Sequence, residues 1–228
     1  MTERLVTELG KRYAAGYDEH SYELFDVARD GRPAQNPAYS PGLRFEGERQ
    51  EVKAAMAISL YDISIANYLQ TLGAVGGFLD RGLTYFREHN IDPEQVVETR
   101  LYPDMLPFRF QIQSVAHHSV GAIEGVTHGV FRPPSKLPDH DYGALQALIA
   151  DARQSLEGMV PETINAREGA DVIFEFRDSK LPFTAEGFVL SFSLPNFYFH
   201  ATTAYDILRS KGVPVGKRDF LGKLRMKA

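Results

Sequence analysis

The sequence predicts an all-α protein, a four-helix bundle with one small β-hairpin before its last helix. Three observations carry that expectation. Apolar residues recur at spacings of three and four through four separate segments. The period switches to two only once, and prolines and glycines punctuate the joints. A chain of 228 residues holds one well-buried domain and an appendage.

The appendage is residues 1–55, read as a mostly irregular extension. Its stretch from Arg29 to Gly42 contains three prolines and two glycines, which forbid regular helix. Only Leu5, Val6 and Leu9 share a face, enough for a short frayed helix between Thr2 and Ala15. Met56 opens the segment Met-Ala-Ile-Ser-Leu-Tyr-Asp, so the bundle domain is expected over 56–228. Met56 as the natural start is the alternative reading.

The first bundle helix is expected over 62–90, with Ile65, Leu69, Leu72, Val75, Phe78 (or Leu79), Leu83 and Phe86 on one face. Gly73, Gly76 and Gly77 lie inside it. Each glycine costs about 1 kcal/mol against alanine in a helix, and close approach of a neighbouring helix is the expected reason, with a dimer face as the alternative. Asp92 then suits the cap of a short turn with Pro93 at its first position.

The second helix is expected over 104–129, starting at Pro103 or Pro107, with Met105, Phe108, Ile112, Val115, Ser119, Ala122, Ile123 and Val126 as its core stripe. Phe131 to Asp139 reads as a loop with three prolines. The third helix is expected over 141–159, with Tyr142, Leu145, Leu148 (or Ile149), Ala152 and Leu156 facing inward. A hairpin near 171–184 follows, and Pro182 confines its second strand to an edge. The fourth helix is expected over 185–211, bent at Pro195 and stopped by Gly212.

Composition excludes several function classes. With 25 Lys+Arg against 30 Asp+Glu the net charge is -5, so no broad cationic field awaits a nucleic acid or an anionic membrane. Zero cysteines exclude disulfides, thiolate catalysis and cysteine-held metal clusters. No apolar run approaches a membrane span, and the start carries no apolar signal segment, so a cytoplasmic protein is expected. P-loop, dinucleotide-binding, nucleophile-elbow and zinc-protease motifs are all missing from the sequence.

Chemistry is expected on the fourth helix. Val189, Ser193, Asn196, His200, Thr203 and Ile207 form one stripe, so polar groups occupy a face that a bundle buries. Such groups need partners, at about 1–3 kcal/mol each if left without. Two readings stay open: a hydrogen-bond network that closes on itself beside the Pro195 bend, or a pocket between helices. His200 is the leading candidate, as a general base, a ligand to a divalent ion or a donor to a substrate carbonyl. Asn196, one turn earlier, is the candidate to fix its tautomer or to serve as a weak oxygen ligand. Ser193, Thr203 and Tyr205 are candidate ligand-binding residues of the same helix. On the second helix, taking Ile112 as the stripe centre, His118 lies about 120° away and His117 about 140° away on the other side. Neither points squarely at the core, and His118 is the closer. Arg100 and Asp104 flank Leu-Tyr-Pro before the second helix, as a mutual pair or as an anion anchor and counter-charge at the bundle mouth. The segment Gly216 to Gly222 is expected to dock the tail through Phe220 and Leu221.

Four segments in order carry a resemblance: Ser59-Leu-Tyr-Asp62, Thr99 to Phe108, Leu194 to Arg209 and Gly216 to Gly222. They resemble the signature segments of an uncharacterised domain family, found in bacteria and fungi, that is related to the DinB/YfiT-like four-helix-bundle group. The similarity covers about Met56 to Leu224. The resemblance implies a DinB-like bundle, in a group described as metalloenzymes and including thiol-dependent transferases and isomerases of small molecules. That group's usual metal site takes one His from the second helix and an H-x-x-x-H pair from the last. His200 falls on the second member of the pair, Asn196 on the first, and either His117 or His118 on the second-helix ligand. An amide in place of an imidazole weakens zinc or nickel affinity, so no tightly held metal is expected, and at most a weakly bound divalent ion.

Two function classes follow. One is a small-molecule-binding or small-molecule-transforming bundle with a polar pocket around Asn196 and His200. The other is a non-catalytic dimerisation or scaffold module, a homodimer for example, whose polar stripe is structural.

Overall fold

The computed structural model describes residues 58–134 and 137–227. The expectations for residues 1–55 and for Met56 lie outside the described residues. Ser59 starts the bundle. Its hydroxyl accepts from the Asp62 N–H and the Asp62 carboxylate accepts from the Ser59 N–H, a capping box on α1 (Leu60–Ile63). The chain turns at Ser64, with φ −112° and ψ −83°, and resumes as α2 (Ile65–Glu88). The expected helix over 62–90 is therefore broken near its start, and the buried Ser64 hydroxyl donates to the Leu60 carbonyl at the break.

Asp92 caps α3 (Pro93–Val97), accepting from the Glu94 N–H at 3.0 Å, with Pro93 in its first turn. The second long helix runs as α4 (Phe108–Ala116), a π-helical turn at His117–Gly121, and α5 (Ala122–His128). It starts after Pro107, not at 104. Asp104–Leu106 is grouped apart from the unit formed by Ile58–Pro103 and the chain from Pro107 onward.

Gly129, at φ 79°, turns the chain out of α5 into β1 (Val130–Phe131). This strand replaces the start of the expected proline-rich loop. It pairs in parallel with β2 (Asp171–Phe176), Val130 opposite Ile173 and Phe131 opposite Phe174. Between them lie α6 (Tyr142–Glu157), capped by Asp141 on the Ala144 N–H, and α7 (Pro161–Asn165). The hairpin closes through Arg177, at φ 52°, into β3 (Ser179–Thr184). The order β1-β2-β3 puts Pro182 on an outer strand, where it needs no partner for its missing N–H. The last long helix is α8 (Ala185–Phe188), a second π turn at Val189–Ser193, and α9 (Leu194–Ser210). Gly212 at φ 91° follows it.

The four helical stretches close over one core. The inward stripes expected on α2, α4–α5 and α6 are buried there, including Leu72, Phe78, Ile112, Val126, Leu145 and Leu156. In these contacts α9 lies on α4, and α6 lies on both α2 and α4. The tail forms α10 (Lys217–Leu221) against α2. Asp219 accepts from the Gly216 N–H at 2.7 Å and pairs with Arg81 at 3.1 Å. Phe220 meets Tyr205 edge-on, but the Leu221 side chain is exposed and only its carbonyl is held, by Gln70. Docking thus runs through Phe220 and the backbone, not through both apolar side chains.

The glycines of α2 correct another expectation. A Cβ added at Gly73 or Gly77 would meet nothing within 4 Å, and one at Gly76 would reach only Ile149 at 3.9 Å. Close approach occurs instead at Gly82, where a Cβ would come 2.5 Å from the Tyr142 hydroxyl. That hydroxyl donates to the Leu79 carbonyl at 2.9 Å. Gly73→Ala and Gly77→Ala are accordingly expected to raise stability by about 0.5–1 kcal/mol each through backbone entropy, and Gly82→Ala to lower it. Urea unfolding of the three variants checks the signs.

Candidate functional site

The two π turns face each other, and each has a local cause. Pro195 lacks an N–H and its ring would clash with the carbonyl four residues back, so the helix widens over Val189–Ser193 just before it. In the other π turn the Ala122 N–H bonds to the His117 and Ser119 carbonyls, leaving the His118 carbonyl without its usual helical donor. Ser193 supplies one: its hydroxyl donates to the His118 carbonyl at 2.7 Å. With that proton committed, the Tyr68 hydroxyl donates to Ser193 Oγ, also at 2.7 Å. The chain Tyr68–Ser193–His118 joins three helices, and burial pushes the Tyr68 phenol well above its ordinary range.

Three imidazoles gather at this junction. His118 stacks on His200, ring centroids 5.8 Å apart at an interplanar angle of 17°. His117 meets His118 at 5.5 Å and lies over Phe131 at 4.6 Å. Phe110 and Phe199 flank His200, and Phe192 flanks His118. Gly121 makes room for the first ring, since a Cβ there would sit 2.9 Å from His117 Nδ1.

This apolar enclosure disfavours charge. Burial lowers His117 to about 4, against a partial rise from a backbone hydrogen bond at Arg132. Burial lowers His200 to about 3, with the neighbouring His117 adding to the effect. His118 is held well below the ordinary value by burial, then by His200 and His117. All three rings are therefore neutral at pH 7. His117 Nε2 and His118 Nδ1 are buried without a hydrogen-bond partner. His200 Nδ1 lies 2.8 Å from Gln111 Oε1, and a carboxamide oxygen accepts, so the proton sits on Nδ1 and Nε2 keeps the lone pair.

The other candidates fall in different places. Asn196 is not the hydrogen-bond partner of His200; its amide donates to the Phe192 carbonyl at 2.7 Å, inside the π turn. The Thr203 hydroxyl donates to the Phe199 carbonyl at 2.8 Å. The Tyr205 hydroxyl donates to the Val215 carbonyl at 3.3 Å, on the tail side. Arg100 and Asp104 are exposed, Arg100 in the segment before α4 and Asp104 outside that unit. Gln111, Phe110, Phe131 and Phe192 complete the cluster, and of these only Phe192, beside the polar stripe, stands out in the sequence. Gln111 had a signal there: Gln111, Ser114 and His118 repeat the spacing of Ser193, Asn196 and His200.

Fold and site together define a DinB-like four-helix bundle. The family model described as a domain of unknown function (DUF1993) matches residues 60–221, and the chain belongs to that family. A crystal structure of a DinB family member protein from Shewanella denitrificans is similar, with a TM-score of 0.60 and 27% identity over 74% of this chain and 95% of that one. No curated protein matches this chain. Among the described residues no helix is long and apolar enough to cross a membrane.

The group's usual metal finds a poor donor set here. The site presents His118 and His200, while the Asn196 amide is turned to a backbone carbonyl. Among the described residues no group of three or more His, Asp or Glu side chains is arranged to hold a metal ion. The residues do not fit a tight first-row site.

The imidazoles give stability a pH dependence with a definite sign. Each ring is neutral when folded and titrates near 6.5 when unfolded. Between about 6.5 and the folded values of about 4 and 3 for His117 and His200, the unfolded chain binds more protons. Stability is therefore flat above about pH 6.5 and falls as pH drops below it, by about 1 kcal/mol per pH unit for each excluded proton. Thermal unfolding from pH 8 to 4.5 checks this, and His200→Gln is expected to shallow the slope.

Proposed function

We propose that the chain binds a small molecule at the imidazole cluster and transforms it there, with His200 as the acid–base or hydrogen-bonding residue. The observation that carries this reading is the cluster itself: three uncharged rings held in an aromatic wall, with two buried nitrogens left without partners. Unpartnered buried polar atoms cost about 1–3 kcal/mol each, and two of them at one spot support a role for their lone pairs or protons. Gln111 supports the role by orienting His200, so that a neutral Nε2 can accept a proton or a donor from substrate. His118, stacked alongside, is the second lone-pair source.

A second reading has its own support. Ser193, Asn196 and Thr203 all bond to backbone carbonyls, so most of the polar stripe is accounted for by holding two π turns and a helix together. That favours a non-catalytic scaffold or dimerisation module in which the histidines are packing. Exposed Leu190 and Phe199 on the same helical stretch suit it too.

A divalent metal is proposed to bind weakly if at all, through His118 and His200 with water in the remaining positions. Elemental analysis of tag-free, dialysed protein is expected to find zinc, nickel and iron far below stoichiometric. Near-stoichiometric metal that disappears in His200→Ala would restore a metalloenzyme reading. The binding reading is checked by ligand-observed NMR with a fragment library. Hits that lose binding in both His200→Ala and Gln111→Ala are expected. A library without such hits, together with a dimer that Phe199→Ser dissociates in sedimentation equilibrium, would favour the scaffold.

A further inference from the structure

Alongside the imidazole cluster, a cavity of about 420 Å³ opens between α5 and the first strand. His117, Glu124 and His128 line it from the helix, and Val130, Phe131 and Arg132 from the strand side. On the helical side, positions 124 and 128 fall on one stripe with Gly121 and Gly125, and the π turn sets His117 beside them. The glycines seat the apolar wall. A Cβ at Gly125 would lie 2.9 Å from Phe131 Cβ, so that ring packs onto bare helix backbone.

The polar groups of the cavity are unevenly committed. Arg132 is ion-paired with Glu175, which also binds Lys180 at 2.7 Å, so the cationic donor on the rim already has its carboxylate. His128 Nδ1 lies 2.9 Å from the Glu124 carbonyl oxygen, which can only accept. Nδ1 therefore carries a proton, and Nε2 is the ring nitrogen left to accept. The Glu124 carboxylate, four residues before His128 on the same face, has no hydrogen bond or ion pair among the described residues. What the cavity offers a ligand is thus a carboxylate and an imidazole nitrogen beside Val130, above the buried Phe131.

We propose that this cavity binds the ammonium end of a small amine, with Glu124 and His128 accepting from the nitrogen and Val130 beside its apolar body, over a floor that the buried Phe131 supports. A primary ammonium brings three donors and one positive charge to a site holding acceptors and one free negative charge. A carboxylate ligand would instead face Glu124 and compete with Glu175 for Arg132. The volume falls within the range of small-ligand sites and suits a single-ring or short-chain amine. The proposal goes beyond the reading of the imidazole cluster: the cavity shares His117 with that cluster, but the two acceptors for the ammonium, Glu124 and His128, are not part of it.

The test is a titration of ¹⁵N-labelled protein at pH 7.5 with benzylamine, benzyl alcohol and benzoate in parallel. Benzylamine is expected to shift the backbone amides of Glu124, Gly125, His128 and Phe131, and to bind more tightly than the other two probes. Glu124→Gln is expected to weaken it about fivefold or more, as loss of one charge-assisted contact does, and His128→Phe to weaken it while keeping the apolar wall. Both side chains are exposed, so the variants should fold. His200→Ala should leave benzylamine binding unchanged, which separates failure of this site from failure of the imidazole cluster. Shifts confined to other residues, benzoate binding as tightly as benzylamine, or Glu124→Gln without effect would each overturn the proposal.

Discussion

The structure depends on one serine. Ser193 donates to a carbonyl that the π turn of the neighbouring helix has left without its helical donor, and it accepts from Tyr68 on a third helix. Without it, the His118 carbonyl would lose the donor that stands in for its usual helical one, and the Tyr68 hydroxyl would be stranded in a core of Phe197 and its neighbours. Removing the hydroxyl would therefore cost more than one hydrogen bond. It would release the two irregular turns whose mutual position puts His118 against His200. A π turn in an isolated helix is a defect, and two of them facing each other can complete one another's hydrogen bonding.

Geometry then dictates charge. The π turn carries two consecutive histidines, and widening the helix brings both toward the same aromatic wall, His117 onto Phe131 and His118 onto Phe192. Burial among phenylalanines removes the water that would solvate an imidazolium, and each ring would repel a charge on the next. The cluster is consequently a set of lone pairs and neutral N–H groups. Gln111 sets the tautomer of one of them from the facing helix. This is chemistry suited to proton transfer or hydrogen bonding with a neutral or cationic guest, and ill suited to anchoring an anion.

The bundle was legible because its signal is repeated. The stripes of α2, α4–α5 and α6 each offer five or more apolar residues at helical spacing, and the hairpin announces itself by one change of period. Details set by tertiary contacts were not legible. Gly73 and Gly77 looked like packing glycines but face open space, whereas Gly82, whose neighbours gave no hint, sits against Tyr142. Strand β1 was missed because two residues carry no period, and it exists only because β2 lies beside it.

The site was half legible for the same reason. The polar stripe of the last helix and His200 stood out, but an ideal 100° per residue cannot place His117 and His118 when the helix leaves that geometry at those two residues. Asn196 was the natural partner for His200 by spacing, yet the π turn gives its amide a nearer acceptor at Phe192. The facing Gln111-Ser114-His118 spacing, antiparallel to Ser193-Asn196-His200, held the missing information: Gln111 meets His200, and Ser193 meets the His118 backbone. The central claim is that these packed rings are neutral at physiological pH and that His200 carries its proton on Nδ1. Long-range ¹H–¹⁵N correlation spectra of the histidine rings, recorded from pH 8 to 5, measure both at once. The account predicts His118 and His200 shifts of neutral imidazole across the whole range, with His200 protonated at Nδ1. Titration of either ring near pH 6.5, or a proton on His200 Nε2, would contradict it.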